Sequence, residues 1–212
     1  VGYQLRSNPL IQFIKKYCFD REHLGKIYNC EIYHGEHVDN FHTYESYKVS
    51  YASKKKLGGG VVLTQIHELD YLNYFFSKYK LVDYKYISQK ISNLKMNVED
   101  NNMSIFKFKS KLKKNISFAK VTCSYIQVPK MRTIFISCKL GSLYADLNNL
   151  KIKILKNNRK EIIKKFNFNK NEMFVNEIKH FLNLIKKKKT KKILPNILDD
   201  NFVNSLANKI KI

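Results

Sequence analysis

The chain has 212 residues, of which 44% are hydrophobic and 13% aromatic, so it is long and apolar enough to bury one large core. Its formal net charge of +23 would by itself favour a nucleic acid or an anionic membrane as partner. Only four of the 40 basic residues are arginine, however, and base and phosphate recognition relies on the planar fork of arginine. Nucleic-acid binding is therefore disfavoured.

The four cysteines, at positions 18, 30, 123 and 138, form no Cys-x-x-Cys pair. Their spacing predicts neither a zinc site nor a dense disulfide framework, and buried reduced thiols are the simpler interpretation. No run of about 18 apolar residues is present, so no membrane-spanning segment is predicted. No signal peptide is recognised, and a cytoplasmic location is the default expectation.

The first predicted element is a helix. Ser7 or Asn8 can cap it, and Pro9 fits its first turn. Its apolar stripe comprises Leu10, Phe13, Ile14 and Tyr17. A strand follows over residues 26–34, with Ile27, Cys30 or Ile32 facing inward depending on the register.

A long loop runs from this strand to residue 56, and loops of this length are often functional. Histidines 34, 37 and 42 lie in or beside it with Glu36, but their steps of three and five match no standard zinc spacing, so no metal site is predicted. Tyr47, Tyr51 and Lys54 offer ring faces, hydroxyls and a charge to a ligand. Packing of the loop over a sheet explains them equally well.

Residues 57–70 are the one stretch where backbone freedom, an apolar repeat and titratable groups coincide. Three of the seven glycines stand together at 58–60, and glycine permits sharp turns and close approach. From Val62 onward the apolar positions recur at helical spacing, and His67 and Asp70 fall on one arc beside that stripe. The pattern predicts a helix that begins at Val62.

His67 is the candidate for acid–base chemistry, because an imidazole near the start of a helix tends to stay neutral and suits proton transfer near pH 7. Asp70, three residues on, would fix its tautomer or raise its pKa. The alternative is a half-buried histidine that only hydrogen-bonds Asp70, and spacing does not decide between them.

Strand-like runs follow at residues 82–92, 103–109, 116–127, 131–140, 143–147, 151–155 and 161–168. Residues 127–130 and 141–142 indicate tight hairpin connections, and 148–149 and 157–158 indicate turns. Consecutive strands with short turns predict an antiparallel meander in an α+β domain. Helices must cover one sheet face, and the other is expected to be half apolar among lysines, with Phe106, Phe108, Phe118, Ile134 and Ile136.

Two helices complete the predicted order. The first spans residues 170–188, and the last is marked by Phe202, Leu206 and Ile210. A lysine run at 186–192 joins them. It resembles a polyanion-binding or nuclear-localisation patch, but cations at a helix C-terminus are also favoured by the helix dipole, which is the structural interpretation.

The stretch at 57–70, Gly-Gly-Gly followed by His-x-x-Asp, resembles the second domain of the Gfo/Idh/MocA family of oxidoreductases. Residues 1–9 resemble the junction where that family leaves its nucleotide-binding domain, 25–27 the start of its first sheet strand, and 47–56 its tyrosine-rich, basic approach to the glycines. The resemblance implies a large, mostly antiparallel, open-faced sheet with helices on one face, as in the C-terminal domain of glyceraldehyde-3-phosphate dehydrogenase. It also implies that residues 1–6 end the last strand of an absent Rossmann domain and that 7–212 form a substrate-binding and oligomerisation domain.

The family resemblance implies an oxidoreductase that uses NAD or NADP and acts on a hydroxyl or keto group of a sugar or sugar nucleotide. It places His67 in the catalytic role near the carbon that exchanges hydride. Substrate contacts are then expected from Arg6, Tyr47, Tyr51, Lys54, Thr64, Gln65 and Asp70, and weak cofactor contacts from Gly59 and Gly60. The absent domain would carry the Gly-x-Gly-x-x-Gly turn and the lysine of a Glu-Lys-Pro motif, so the chain is not expected to be active alone.

One departure bears on the substrate. Many family members carry an aspartate one helical turn before the histidine, where this chain has Leu63. A branch that reads apolar and then Thr-Gln-x-His-Glu, as residues 63–68 do, is associated with acylamino-sugar and surface-polysaccharide synthesis. The resemblance therefore shifts the expected substrate toward that class and weakens the case for a full acid–base relay.

The family also implies how the domain associates. Its open sheet face pairs subunits, so a homodimer or homotetramer is expected, and its tail helix packs back toward the nucleotide-binding domain. Two other functions stay open on the residues alone. One is a basic binding or oligomerisation module without catalysis, and the other is a metal hydrolase that uses His34, His37 and His42.

Overall fold

A single mixed sheet organises the computed structural model, which describes residues 2–41, 44–157, 159–186 and 197–212. The strands are β1 (Ile27–Gly35), β2 (Tyr79–Gln89), β3 (Asn101–Ser110), β4 (Ile116–Ser124), β5 (Met131–Cys138), β6 (Gly141–Asp146), β7 (Lys151–Lys156) and β8 (Ile162–Lys165). The helices are α1 (Pro9–Ile14), α2 (Val61–Thr64), α3 (His67–Phe75), α4 (Asn171–Lys186) and α5 (Ile197–Ile210). Short 3₁₀ segments span Gln4–Ser7, Val38–Asn40, Tyr51–Ser53 and Lys55–Leu57, and a π-helical turn, Lys15–Asp20, extends α1.

The strand order is β2-β3-β4-β1-β5-β6-β7-β8. Every pairing is antiparallel except that of β1 with β4. The predicted α+β class with an open, mostly antiparallel sheet is therefore confirmed. The hairpin predicted at residues 127–130 is wrong, because β1 lies between β4 and β5 and pairs with both. A turn signal in the sequence predicts that the chain reverses direction. It does not predict whether the two strands on either side of the turn pair with each other or with a third strand.

The N-terminal helix forms where the sequence predicts it. The Asn8 side chain caps α1 by accepting a hydrogen bond from the Leu10 backbone N–H at 2.8 Å, and Pro9 occupies the first turn. Leu10 and Ile14 are fully buried. Just before the cap, the Gln4–Ser7 segment is a 3₁₀ helix.

Strand β1 resolves the register that the sequence left open. Ile27, Cys30 and Ile32 are all buried, although Ile27 and Cys30 differ by an odd number of residues. A register shift between Ile27 and Asn29 makes this possible, because a bulge lets two successive positions change face. The strand thus presents a continuous apolar row to the helices.

The face assignment of the open sheet needs correction. Phe106, Phe108, Ile134 and Ile136 are buried under the helices, and of the five residues predicted for the open face only Phe118 lies there, at 47% exposure. Other apolar residues occupy the open face between lysines: Met103, Ile105, Phe135 and Leu155. Both faces of these strands carry apolar side chains, so alternation alone did not specify which parity faces inward.

Helix α5 packs against α2, α3 and β2, with Val203, Leu206, Ala207 and Ile210 buried. It therefore completes the cover of its own sheet. Of the lysine run at 186–192 only Lys186 belongs to the described residues, and His42 and Asn158 also lie outside them. In the part of the chain that the structure describes, all four cysteines are free and buried, and no helix combines the length and apolarity that a membrane crossing requires.

Candidate active site

The predicted helix from Val62 is divided in two. Helix α2 ends at Thr64, and α3 begins at His67 after a break at Gln65 and Ile66. The break places His67 at the first position of a new helix, where backbone N–H groups have no partner within the helix and carry partial positive charge. The sequence predicted His67 inside the first turns of one helix from Val62, whereas the structure begins a second helix at His67.

The glycine turn ahead of α2 is shaped by protein contacts. A Cβ on Gly60 (φ +109°) would lie 2.4 Å from the Glu99 carboxylate, and a Cβ on Gly59 would lie 2.3 Å from the Tyr51 carbonyl oxygen. Glu99 Oε1 accepts a hydrogen bond from the Val62 backbone N–H at 3.2 Å, and burial raises the pKa of this carboxyl. The close approach that requires Gly59 and Gly60 is thus made by protein atoms.

His67 is half-buried, and its ring meets the Gln4–Ser7 segment. Its Nε2 lies 3.4 Å from Gln4 Nε2, and the ring packs edge-on against Tyr3 at 6.3 Å. Its Nδ1 is buried without a hydrogen-bond partner. Burial is the main cause that lowers the pKa of His67 to about 4; the Glu68 carboxylate opposes this, and Arg132 and His34 reinforce it. The imidazole is therefore neutral at pH 7.

The Asp70 carboxylate pairs with Arg6 in this structure. Arg6 Nε donates to both carboxylate oxygens of Asp70, at 3.0 and 3.1 Å, and both residues are buried. The Arg6 guanidinium also lies over the rings of Tyr3 and Tyr74, at 5.5 and 5.4 Å from their centroids. The sequence spacing predicted that Asp70 would lie near His67, but the Asp70 carboxylate forms its ion pair with Arg6, 64 residues earlier in the chain. The pair joins the start of the chain to α3.

A second buried ion pair lies under α3, and the sequence did not reveal it. Glu68 is fully buried, and its Oε1 accepts from Arg132 Nε at 2.8 Å and lies 3.2 Å from His34 Nδ1. Burial opposes ionisation, but Arg132 and then His34 lower the pKa of Glu68 to about 2. The Tyr71 hydroxyl donates to the same oxygen at 3.4 Å. Glu68 is therefore held as a carboxylate between the helix and the sheet.

This cluster continues to the surface through β1. His34 Nε2 lies 3.9 Å from Glu36 Oε2, which is 2.6 Å from Lys130 Nζ. Burial opposes ionisation of Glu36, but its contacts with His34 and Lys130 lower the pKa of that carboxyl. His34 and Arg132 are directly opposed in the β1–β5 register. In the sequence, only the position of Glu68 beside His67 and the scarcity of arginines such as Arg132 could have pointed to this cluster. Neither feature predicts that β1 and β5 pair and bring His34 opposite Arg132.

The other candidate substrate residues divide into two groups. Gln65 is buried beside the break between α2 and α3, where its Nε2 donates to the Ser124 carbonyl at 3.4 Å, and Thr64 Oγ1 accepts from the Tyr125 hydroxyl at 2.6 Å. Tyr47, Tyr51 and Lys54 belong to the preceding loop. The Tyr47 hydroxyl accepts from the Lys95 backbone N–H at 3.2 Å, whereas the Tyr51 side chain is 44% exposed. Thr64 and Gln65, just before His67 in the chain, thus hydrogen-bond to the residues at the end of β4. Tyr47 hydrogen-bonds to the backbone of Lys95.

No group of three or more histidine, cysteine, aspartate or glutamate side chains among the described residues is arranged to hold a metal ion. His34 faces Glu68 and Glu36, and His37 Nδ1 lies 3.6 Å from Asp39 Oδ2. His42 is outside the described residues. The histidine-loop metal site is therefore not assembled by the residues that can be placed.

The structure is thus an open sheet covered on one side by helices, with a neutral histidine at the start of one of them. A family model described as the C-terminal alpha/beta domain of the Gfo/Idh/MocA oxidoreductase family matches residues 16–191. The chain belongs to this family. Comparison with curated proteins gives no match.

Solved structures share the fold at low sequence identity. A levoglucosan dehydrogenase in complex with NADH and levoglucosan superposes with a TM-score of 0.77 at 12% identity, over 98% of this chain and 61% of its own. The UDP-N-acetylglucosamine 3-dehydrogenase of Acidithiobacillus ferrooxidans gives 0.71 at 16% identity, over 99% and 59%. An inositol dehydrogenase homolog from Azotobacter vinelandii in complex with NAD+ gives 0.62 at 14% identity, over 78% and 43%. The chain therefore spans about three fifths of the length of the first two proteins.

Proposed function

We propose that this chain is the substrate-side domain of a nicotinamide-dependent oxidoreductase that acts on a hydroxyl or keto group of a sugar or sugar nucleotide. The observation that carries the proposal is His67: a half-buried imidazole at the first position of α3, with a pKa lowered to about 4. Membership of the oxidoreductase family supports it. Two of the similar structures, a levoglucosan dehydrogenase and a UDP-N-acetylglucosamine 3-dehydrogenase, act on a sugar derivative and a sugar nucleotide, in agreement with the proposed substrate class.

His67 would handle the proton of the reacting hydroxyl. Its Nε2 faces the side chain of Gln4 at 3.4 Å, and a substrate hydroxyl that replaced this contact could donate its proton to the same nitrogen. Because the pKa of about 4 makes the imidazolium unstable at neutral pH, His67 would pass the proton on rather than keep it. The lysine that the family resemblance expects from the nucleotide-binding domain is the proposed second group.

The hydride step is assigned to the cofactor and not to residues of this chain. NAD or NADP, when bound, supplies the hydride chemistry. The Cβ positions of Gly59 and Gly60 are occupied by Tyr51 and Glu99, so any weak contact of these glycines with the cofactor would come from their backbone. The part of the reaction that we assign to this chain is orientation of the substrate and transfer of its proton.

The proposed substrate class rests on the resemblance of residues 63–68 to one branch of the family. Leu63 replaces the acidic residue of many family members, and Thr64 and Gln65 supply a hydroxyl and an amide at the break before α3. We favour an acylamino sugar carried on a nucleotide, in surface-polysaccharide or amino-sugar metabolism. Tyr51 and Lys54 are the proposed contacts of the loop with this substrate, and Arg6 and Asp70 are reassigned to positioning because they pair with each other.

Assembly is proposed through the open sheet face. A row across its centre runs Ile105, Lys120, Glu31 and Phe135, and both apolar side chains are at least 39% exposed. Met103, Phe118 and Leu155 are also exposed on this face, and together these side chains form the apolar surface that we propose to be an interface. We expect a homodimer or homotetramer, and Ile105→Asp with Phe135→Asp should shift the mass measured by light scattering to that of the monomer.

The experiment that tests the function is a substrate panel. The protein encoded by the complete reading frame that contains this chain is incubated with NAD or NADP and with free sugars, cyclitols and UDP-linked amino sugars, and reduced cofactor is measured by its absorbance. Turnover of a sugar or sugar nucleotide is the expected result. Absence of turnover, combined with binding of short DNA or RNA that weakens steeply with salt, would support the basic binding module instead.

A further inference from the structure

Three buried polar atoms at the break between α2 and α3 have no hydrogen-bond partner in the part of the chain that the structure describes. They are Gln65 Oε1, His67 Nδ1 and Glu68 Oε2. Gln65 and Glu68 are only 1% and 0% exposed, and native proteins leave few buried polar atoms without a protein or water partner. Because all three atoms belong to one short stretch of chain, they indicate one shared contact.

The side chains of Gln65 and Glu68 reach neighbouring points of the sheet. Gln65 Nε2 donates to the Ser124 carbonyl at 3.4 Å, and Glu68 Oε1 lies 3.2 Å from His34 Nδ1. In the β1–β4 register the partner of His34 immediately precedes Ser124. The unpartnered oxygens of Gln65 and Glu68 therefore belong to side chains that end at adjacent strand positions.

The Glu68 carboxylate uses one oxygen and leaves the other free. Arg132 meets Oε1 through Nε and Nη2, at 2.8 and 2.7 Å, and the Tyr71 hydroxyl donates to the same oxygen at 3.4 Å. Burial opposes ionisation, but Arg132 and then His34 lower the pKa of Glu68 to about 2. At neutral pH, Oε2 is therefore a carboxylate oxygen that only accepts hydrogen bonds.

The contacts of the His67 ring show which nitrogen carries its proton. A neutral imidazole has one N–H and one acceptor nitrogen. Nε2 of His67 lies 3.4 Å from the amide nitrogen of Gln4, which can only donate, so Nε2 is the acceptor and the proton is on Nδ1. The buried Nδ1–H then requires an acceptor, and the unpartnered oxygens of Gln65 and Glu68 are both acceptors.

We propose that Glu68 is a positioning residue for His67: through one buried water shared with Gln65, its free Oε2 holds the His67 proton on Nδ1 and keeps Nε2 ready to accept the proton of the substrate hydroxyl. The water accepts from Nδ1–H and donates one hydrogen to each oxygen, which satisfies all three atoms. The tautomer of a histidine is set in this way by the partner of its other nitrogen. The inference rests on the proposed function, which assigns proton transfer to Nε2. Asp70, which the spacing suggested for this role, is paired with Arg6.

The test measures the His67 tautomer by ¹⁵N NMR at pH 7 in the protein encoded by the complete reading frame, labelled at histidine, with His67→Gln to assign the resonances. In the wild type the proton should be on Nδ1. Glu68→Gln should move it to Nε2, because the amide oxygen turns to Arg132 and the amide N–H₂ replaces the free acceptor. In another enzyme an acid-to-amide change that leaves the wrong histidine tautomer lowers kcat roughly 10⁴-fold. We expect kcat of Glu68→Gln to fall at least about tenfold, with a smaller change in KM.

Two further variants separate the tautomer from the loss of stability. Arg132→Lys weakens the same ion pair but keeps the Glu68 carboxylate, so the proton should stay on Nδ1. Glu68→Leu with Arg132→Met removes the acceptor without leaving a charge buried alone, and the proton should no longer be confined to Nδ1. This double variant decides the question if circular dichroism shows that Glu68→Gln does not fold.

Two results would overturn the proposal. One is a wild-type proton on Nε2, and the other is a proton that stays on Nδ1 when the Glu68 carboxylate is removed. A proton that moves in Glu68→Gln while kcat is unchanged would overturn the assignment of proton transfer to His67 and leave the positioning intact. The NMR measurement needs no turnover, so it decides the proposal even if the proposed substrate class is wrong.

Discussion

Removal of the charge on Glu68 should destabilise the chain strongly. Glu68→Gln keeps the shape of the side chain, but it leaves the largely buried Arg132 guanidinium, now 2.8 Å from a neutral amide, without its counter-ion. The pKa of Glu68 is lowered from its usual 4.5 to about 2, which corresponds to about 3 kcal/mol in favour of the ionised form. Breaking one side of a buried ion pair costs about 3–5 kcal/mol in other proteins. The two magnitudes agree.

The assay is urea unfolding of the chain at pH 7, followed by far-UV circular dichroism. We expect Glu68→Gln to lower the free energy of unfolding by about 3 kcal/mol, a large part of the 5–15 kcal/mol typical of a domain. Replacement of both partners, Glu68→Leu with Arg132→Met, should cost less than the single change, because no charge is then left buried alone. A loss below about 1 kcal/mol for Glu68→Gln would refute the reasoning, since exposed ion pairs contribute that little.

Two further predictions concern the turn before α2 and the histidine after it. Gly60→Ala should destabilise the chain more than Gly58→Ala, because both glycines have positive φ but only at Gly60 would the new Cβ meet Glu99. Thermal unfolding of the two variants measures the difference. Equal losses of stability would contradict the role of the Glu99 contact. The pKa of His67 falls from 6.5 to about 4 on folding, so the unfolded chain takes up the proton first, and stability should decline by up to about 3 kcal/mol as the pH falls from 6.5 to 4. His67→Gln should remove that part of the decline in urea titrations, and an unchanged pH dependence would place the titration elsewhere.

Local patterns predicted most of the secondary structure. Strands β4 and β5 begin at the predicted residues, Ile116 and Met131, and Asn8 caps the first helix. The three glycines and the apolar repeat also predicted a helix from Val62, and α2 begins at Val61. They did not predict the break that makes His67 the first residue of α3. The features that local patterns predicted are determined within about a dozen residues, which is the range that periodicity and capping signals cover.

The missed features are nonlocal. Arg6 and Asp70 are 64 residues apart in sequence, and so are Glu68 and Arg132. The insertion of β1 between β4 and β5 places His34 opposite Arg132, and no turn or spacing signal reports such a pairing. The inward parity of β5 was also open, because Ile134 and Phe135 are both suited to a core.

The most direct test of the account is the turnover rate of the complete enzyme with His67 replaced. With a sugar or sugar nucleotide that the wild type oxidises or reduces, His67→Ala should lower kcat by about 10²–10⁴-fold, whereas His23→Ala, at an exposed histidine that packs on Tyr17, should leave the rate unchanged. A His67→Ala enzyme within about threefold of the wild-type kcat would contradict the assignment of proton transfer to His67.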